Sequence, residues 1–398
     1  MRLRYSYRLD PAPAQRQALA RAFGCARVVF NDALAARQAA YEAGEPYITD
    51  KEISAWLTAV KGTPERAWLG EVSSVVLQEA LADLNAAYRN FFNSVTGRRK
   101  GPKIGLPRFR SRKDRRQAVR FTKNSRFRVL VNGRLRLPKI GDVAVRWSRD
   151  LPAGPSSVTV IRDAAGRYFA SFVVEVSPRP LPRTDAECGI DLGLGHFVVL
   201  DDGTKVTAPR FLRRAERKLK RAQRDLSRKQ NGSSNREQAR VRVARAHARA
   251  AGARRDFHHK LSTAIIRENQ AVTVEDLAVK GLARTRLAKS VHDAGWSAFV
   301  AMLEYKAELY GREFRRIGRF EPTSQVCSAC GVQDGPKPLH IREWTCAACG
   351  AVHDRDVNAA KNIAALGRRD AQNARGGQVR PAATLAQAGE AGSLRGAA

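Results

Sequence analysis

Four cysteines near the carboxyl end fall into two pairs, Cys327-x2-Cys330 and Cys346-x2-Cys349, with fifteen residues between the pairs and a glycine after each. A Cys-x2-Cys turn aims two thiolates at one point, and two such turns supply the four sulfurs that a tetrahedral Zn²⁺ takes. The pattern predicts one structural zinc with a filled shell. Cys25 and Cys188 are expected to be buried thiols that ligate nothing.

Carboxylates suggest a second chemistry. Asp191 interrupts the apolar, glycine-studded run CGIDLGLGHFVVL, Glu275 and Asp276 end AVTVEDL, and Asp354 and Asp356 lie in HDRDVNAAKNI just before a helical pattern. Each has an ordinary explanation alone, as an outward-facing strand residue, a strand end or a helix N-cap. Together they could converge at one end of a sheet and hold Mg²⁺ or Mn²⁺ through oxygen. Two such ions about 4 Å apart can activate water and stabilise the leaving oxygen of a phosphodiester. An unpaired carboxylate in a buried strand costs several kcal/mol by order of magnitude, so a metal partner would account for Asp191. Strand alternation in AVTVEDL puts Glu275 and Asp276 on opposite faces, which lets only one of them enter such a site.

The elements that must position these groups can be read from periodicity. Residues 1–9 resemble a short strand, and helical spacing through Leu19, Phe23, Val28 and Leu34 begins a mainly helical first hundred residues. TGRRKGPKIGLPRFRSRKDRRQAVRFT breaks that period with Gly, Pro and clustered cations, and is expected to be a basic loop. Alternating segments around Asn132-Gly133 and in SSVTVIRDAAGRYFASFVVEV make residues 120–177 an antiparallel, barrel-like β unit, closed off by the proline-rich SPRPLPRTD. Three short strands follow from residue 188, then two long basic helices, the strand AVTVEDL, a helix over DAGWSAFVAMLEYKAELYG, the strand FRRIGRF, the cysteine segment and a short helix NAAKNIAALG. That order predicts an α/β layer fold with a mixed sheet. The Ala/Gly-rich last thirty residues predict a disordered tail.

At 398 residues and 43% hydrophobic content the chain can build two or more cores. Its 72 Lys+Arg against 38 Asp+Glu give a net charge of +34, a surplus that points to a polyanion, above all nucleic acid. Arg210 to Lys260 is the densest stretch, two cationic helices around a hinge-like NGSSN, and such helices repel themselves unless an anion lies against them. No run approaches the ~20 apolar residues that span a bilayer, and MRLRYSYRLD lacks a signal-peptide core. A cytoplasmic protein with no membrane contact is expected.

In order along the chain, RLDPAPAQRQALARAFGCARVVFNDAL, GLPRFRSR, GIDLGL, LSRKQNGSSN, RRDFHHKLS, VEDL, DAGWSAF, TSQVCSACG, WTCAACG, DRDVNAAKNI and GGQVRP resemble the TnpB family of transposon-associated RNA-guided nucleases, relatives of type V CRISPR effectors. The resemblance implies an α/β plus β-barrel architecture: a split RuvC-like nuclease of RNase H type with a helical recognition insert, a wedge-like β-barrel and a four-cysteine zinc ribbon. It would place the wedge in 1–10 and 105–180, the recognition helices in 11–104, the nuclease in 183–320 and 352–368, the ribbon in 321–351 and the tail in 369–398. The family's catalytic, magnesium-binding acids map onto Asp191, Glu275 and Asp356, with Asp354 and Asp276 the less favoured neighbours. It further implies magnesium-dependent cleavage of DNA chosen by a guide RNA, with a monomer on one guide RNA favoured. Guided DNA binding without cleavage, or a DNA-binding accessory role in transposition, are the alternatives. A chain that is itself a transposase is disfavoured, since no separate transposase signature is visible.

Overall fold

The structure, a computed structural model, describes residues 1–338 and 340–374. Its described residues form two units, Met1–Ser177 with Arg217–Arg249, and Pro178–Glu216 with the described residues from Ala250 to Ala374.

The first unit runs β1 (Arg2–Asp10), α1 (Pro13–Glu42), α2 (Asp50–Val60), α3 (Ser74–Val95), β2 (Gln117–Thr122), β3 (Arg128–Val129), β4 (Leu135–Leu137), β5 (Gly141–Arg146), β6 (Ser157–Arg162) and β7 (Tyr168–Glu175). All seven strands pair antiparallel in the order β2-β6-β7-β1-β5-β4-β3. The amino-terminal strand therefore sits mid-sheet, turning Tyr7 and Leu9 into the core. The predicted barrel is instead a half-barrel, because β2 and β3 end the hydrogen-bonded order without pairing each other. On α1 the buried face carries Leu19, Phe23, Val29 and Leu34, so Val29 takes the place expected for Val28. Between Val95 and Gln117 the basic segment forms neither helix nor strand, as its Gly, Pro and like charges predict, but its end, QAVRFT, expected as loop, forms β2.

The second unit contains β8 (Glu187–Asp191), β9 (His196–Leu200), β10 (Lys205–Thr207), α4 (Phe211–Ser227), α5 (Ser234–Glu268), β11 (Ala271–Glu275), α6 (Val279–Leu282), α7 (Ala288–Ala294), α8 (Trp296–Tyr310), β12 (Glu313–Ile317), β13 (Glu343–Thr345), β14 (Val352–Asp354) and α9 (Arg355–Ala374). The carboxyl-terminal part of α4, from Arg217, and the amino-terminal part of α5, to Arg249, group with the first unit. Their turn is locked by Arg236, which donates to the carbonyls of Leu226 and Lys229 at 3.0 and 2.8 Å and so satisfies groups that α4 leaves open at its end.

Five strands form a mixed sheet in the order β10-β9-β8-β11-β12. β8 pairs antiparallel with β9 and parallel with β11, which pairs parallel with β12. Its core gathers Ile190, Phe197, Val272, Val274, Trp296, Phe299 and Leu303. Two glycines let α9 lie against the sheet. A Cβ on Gly189 of β8 would meet Ala360 O at 2.2 Å, and one on Gly367 of α9 would meet Thr273 Oγ1 at 2.3 Å. No side chain fits at either place.

Two expectations need correction. The helix expected over DAGWSAFVAMLEYKAELYG is broken at Gly295, which adopts φ +70 between α7 and α8. The disordered tail expected from residue 369 does not begin there, since α9 continues through Ala374; GGQVRP and the rest of the tail lie outside the described residues. Among the described residues no helix is long and apolar enough to cross a membrane.

Candidate active site and metal centre

Because β8 and β11 run parallel in the centre of the sheet, their carboxyl ends leave at the same edge. Val274 pairs with Ile190, so the next residue on each strand places Glu275 beside Asp191. Packing of α9 on β8 brings the first turn of that helix to the same edge, with Asp356 in it. The sheet thus gathers three carboxylates from distant parts of the chain.

Their electrostatics show the proximity. Burial, then the charges of Asp356 and Glu275, push Asp191 up from its ordinary 3.8 to about 7, against smaller opposing effects from Arg355 and the Leu192 N–H. Burial also raises Glu275, while Thr323 Oγ1, donating to Glu275 Oε1 at 3.2 Å, pulls the other way. Burial and neighbouring anions both disfavour the charged carboxylate, and a cation bound between the acids would favour it. Hard oxygen donors of this kind suit Mg²⁺ or Mn²⁺.

The neighbouring acids are engaged elsewhere. Asp276 pairs with Arg319 at 2.6 Å on a well-exposed surface. Asp354 is the N-cap of α9, its Oδ1 accepting from the N–H groups of Asp356 and Val357 at 3.1 and 3.0 Å while Lys205 holds Oδ2. Burial would raise the Asp354 carboxyl, but Lys205 and these N–H groups outweigh it and leave it below the ordinary range.

The four cysteine sulfurs form a closed cluster, all within 4.8 Å of one another, and among the described residues no other group of His, Cys, Asp or Glu does so. Cys327 and Cys349 Sγ lie 3.7 Å apart, as do Cys330 and Cys346. A tetrahedron with Zn–S bonds of about 2.3 Å has S···S edges of about 3.8 Å, so the cluster is compatible with zinc. Both knuckles fold alike. Cys327 and Cys346 donate their N–H to Val332 and Ala351 carbonyls at 2.9 Å, and each accepts from a following glycine, Gly331 or Gly350, at 2.9 Å. Those glycines sit at φ +76 and +75, where a side chain would be strained.

His353 and Thr323 were not anticipated from sequence. His353 Nε2 lies 3.0 Å from Cys327 Sγ and its ring packs on Trp344 at 4.8 Å between centroids. Its position directly before the acidic DRD was the available signal. Thr323 carried none, because its bond to Glu275 depends wholly on tertiary placement.

A "Putative RNA-guided DNA endonuclease" of Streptomyces pristinaespiralis is 45% identical over 95% of this chain and 92% of its own length. The chain belongs to the TnpB family. A second relative, "Putative RNA-guided DNA endonuclease InsQ" of Escherichia coli K12, is 30% identical over 91% of this chain and 92% of its own. The IS605 OrfB family model, described as "Probable transposase", matches residues 171–286, a Cas12f1-like TNB domain matches 296–363, and a helix-turn-helix model matches 1–46. The TnpB chain also shares the fold of Cas12f1 seen in its complex with sgRNA and target DNA, with a TM-score of 0.52 at 13% identity, covering 87% of this chain and 82% of the other.

Proposed function

We propose that this TnpB-family protein is an RNA-guided DNA endonuclease that hydrolyses phosphodiester bonds with divalent metal held by Asp191, Glu275 and Asp356. The observation that carries the reading is the convergence of the three carboxylates, Asp191 and Glu275 from the adjacent parallel strands β8 and β11 and Asp356 from the first turn of α9, where burial and the charges of Asp356 and Glu275 raise the Asp191 carboxyl. Because burial and the two acids raise the Asp191 carboxyl, cation binding there would compete with protons and weaken as pH falls. Thr323 orients Glu275, and the Asp354 cap fixes the turn that presents Asp356. When bound, divalent cations would supply Lewis acidity to the phosphodiester and lower the pKa of water. The four cysteines would hold one structural zinc.

The nuclease role belongs, in this reading, to the mixed sheet and α9. The half-barrel would serve as the wedge, α1 to α3 as the recognition helices and the cysteine segment as the zinc ribbon. Guide RNA and target would lie against cationic surfaces, among them α4, α5 and the basic segment from Arg98 to Arg116, with base pairing rather than side chains choosing the sequence.

The deciding assay combines the protein, its copurifying RNA, a matching DNA target with randomised flanks, and magnesium. Wild type should cut. Asp191→Ala should abolish cutting while leaving guide and target binding intact, and Asp354→Ala and Asp276→Ala should retain more activity than Asp356→Ala and Glu275→Ala. Wild type that binds the target but cuts under no flank and no divalent ion would make the chain a guided binding protein.

A further inference from the structure

Two buried asparagines join the cysteine site to the carboxylate site. Asn358 and Asn362 lie one turn apart on α9, 1% and 8% exposed, among the buried residues Ala359, Ala360, Ile363, Ala364 and Gly367. Asn358 Nδ2 donates to Val326 O at 2.8 Å, and its Oδ1 accepts from Ser328 N–H at 2.9 Å. One carboxamide therefore grips the backbone on both sides of Cys327. Asn362 Nδ2 donates to Val326 O at 2.7 Å and to Thr323 O at 2.8 Å.

The same segment reaches the acids from its other end. Thr323, 6% exposed, bonds Glu275 through its hydroxyl while Asn362 holds its carbonyl. Asp356 stands two residues before Asn358 on the same helix, and His353, against the Cys327 sulfur, directly precedes the residue that caps that helix. The path from Cys327 to Glu275 thus runs along five residues of backbone, Thr323 to Cys327, pinned at Thr323 and Val326, with Ser328 held on the far side of Cys327. The path from Cys327 to Asp356 runs through Asn358 and through His353.

We infer that Asn358 and Asn362 are positioning residues that make cation binding by Asp191, Glu275 and Asp356 depend on metal occupancy of Cys327, Cys330, Cys346 and Cys349. With the sulfurs drawn together, the 323–328 segment is fixed, Thr323 presents its hydroxyl to Glu275, and α9 holds Asp356 at the sheet edge. With the sulfurs released, Cys327 can move, and the asparagines carry that movement to both acids. A role confined to satisfying buried backbone would give stability without this dependence. The inference rests on the carboxylates being a cation site.

The test uses full-length protein and two metals read separately. Mn²⁺ bound at the carboxylates is measured by electron paramagnetic resonance, as the part of binding that Asp191→Ala removes. Co²⁺ placed in the cysteine site is followed by its thiolate absorption bands. Supporting partners of metal sites typically change affinity or activity by about 10- to 100-fold, so Asn358→Asp, Asn362→Asp and Thr323→Val should each weaken Mn²⁺ binding about tenfold or more. In the guide-loaded protein they should raise the magnesium needed for half-maximal cutting while target affinity stays unchanged. Thr323→Ser, which keeps the hydroxyl, should restore wild-type behaviour. Asn358→Asp should also alter the Co²⁺ bands, because it flanks Cys327, whereas Thr323→Val should not. Withdrawing zinc from wild type should weaken Mn²⁺ binding by a similar factor.

Thr323→Val exchanges groups of nearly equal size and leaves the Asn362 bond in place, so it reports on positioning even where an asparagine variant fails to fold. Zinc-free wild type that binds Mn²⁺ as tightly as the zinc form overturns the inference, as does a folded Thr323→Val protein with wild-type Mn²⁺ affinity and magnesium dependence. Wild type with no Mn²⁺ binding that Asp191→Ala removes overturns the carboxylate reading and this inference together.

Discussion

Replacing Asp191 with Asn should make the protein more stable in the absence of divalent cations, and by more at pH 8 than at pH 5. Asp191 has an ordinary value of 3.8 in the unfolded chain and about 7 in the folded one, so between those limits the folded state holds the extra proton. Stability therefore falls as pH rises from about 4 to about 7 and levels off above that. At about 1.4 kcal/mol per pH unit the full difference sets a ceiling of about 4 kcal/mol. Glu275 and Asp356 share the repulsion and water screens part of it, so the portion expressed between pH 5 and 8 is about 1–3 kcal/mol. Asn removes the titration at nearly constant shape. The gap in melting temperature between Asp191→Asn and wild type should widen by about 5 °C over that interval. The assay is a thermal melt in metal-depleted buffer without a strong chelator, so that metal bound by the four cysteines is not stripped. Adding magnesium at pH 8 should raise the wild-type melting temperature and leave the variant unchanged. A gap that is flat with pH, or a variant stabilised equally by magnesium, would refute the argument that these three acids form one anionic site.

Elemental analysis of purified protein should find about one zinc per chain, lost when Cys327 and Cys330 or Cys346 and Cys349 are replaced by Ser. Neutralising several arginines of α4, α5 and the segment from Arg98 to Arg116 should flatten the dependence of log affinity for the copurifying RNA on log salt, by about one unit of slope for each phosphate left without its cation; an unchanged slope would move the RNA surface elsewhere. Gly189→Ala should cost about 3 kcal/mol or more in urea unfolding, because its Cβ would overlap backbone atoms of α9 that no rotamer change can clear.

What could be read from sequence was what short spans of chain decide. Each cysteine knuckle is built from five consecutive residues, Cys327–Gly331 or Cys346–Gly350, so its thiol pair and its positive-φ glycine are visible together. The central strands of the mixed sheet announce themselves as short apolar runs, and the two cationic helices by their charge. Asp191 was conspicuous because a carboxylate in an apolar run contradicts its surroundings. Distances between separated segments were not legible. Only the parallel pairing of β8 with β11, and the seating of α9 where Gly189 and Gly367 leave room, brought Asp191, Glu275 and Asp356 to one edge. Capping geometry gave Asp354 to the helix backbone and left Asp356 at the site, a division that two aspartates separated by one arginine cannot express alone. Asn358 and Asn362 look like ordinary helix residues in NAAKNI. Their partners lie thirty or more positions earlier in the chain, and only packing selects them. Sequence determined which groups were available, while tertiary structure determined which of them share a charge.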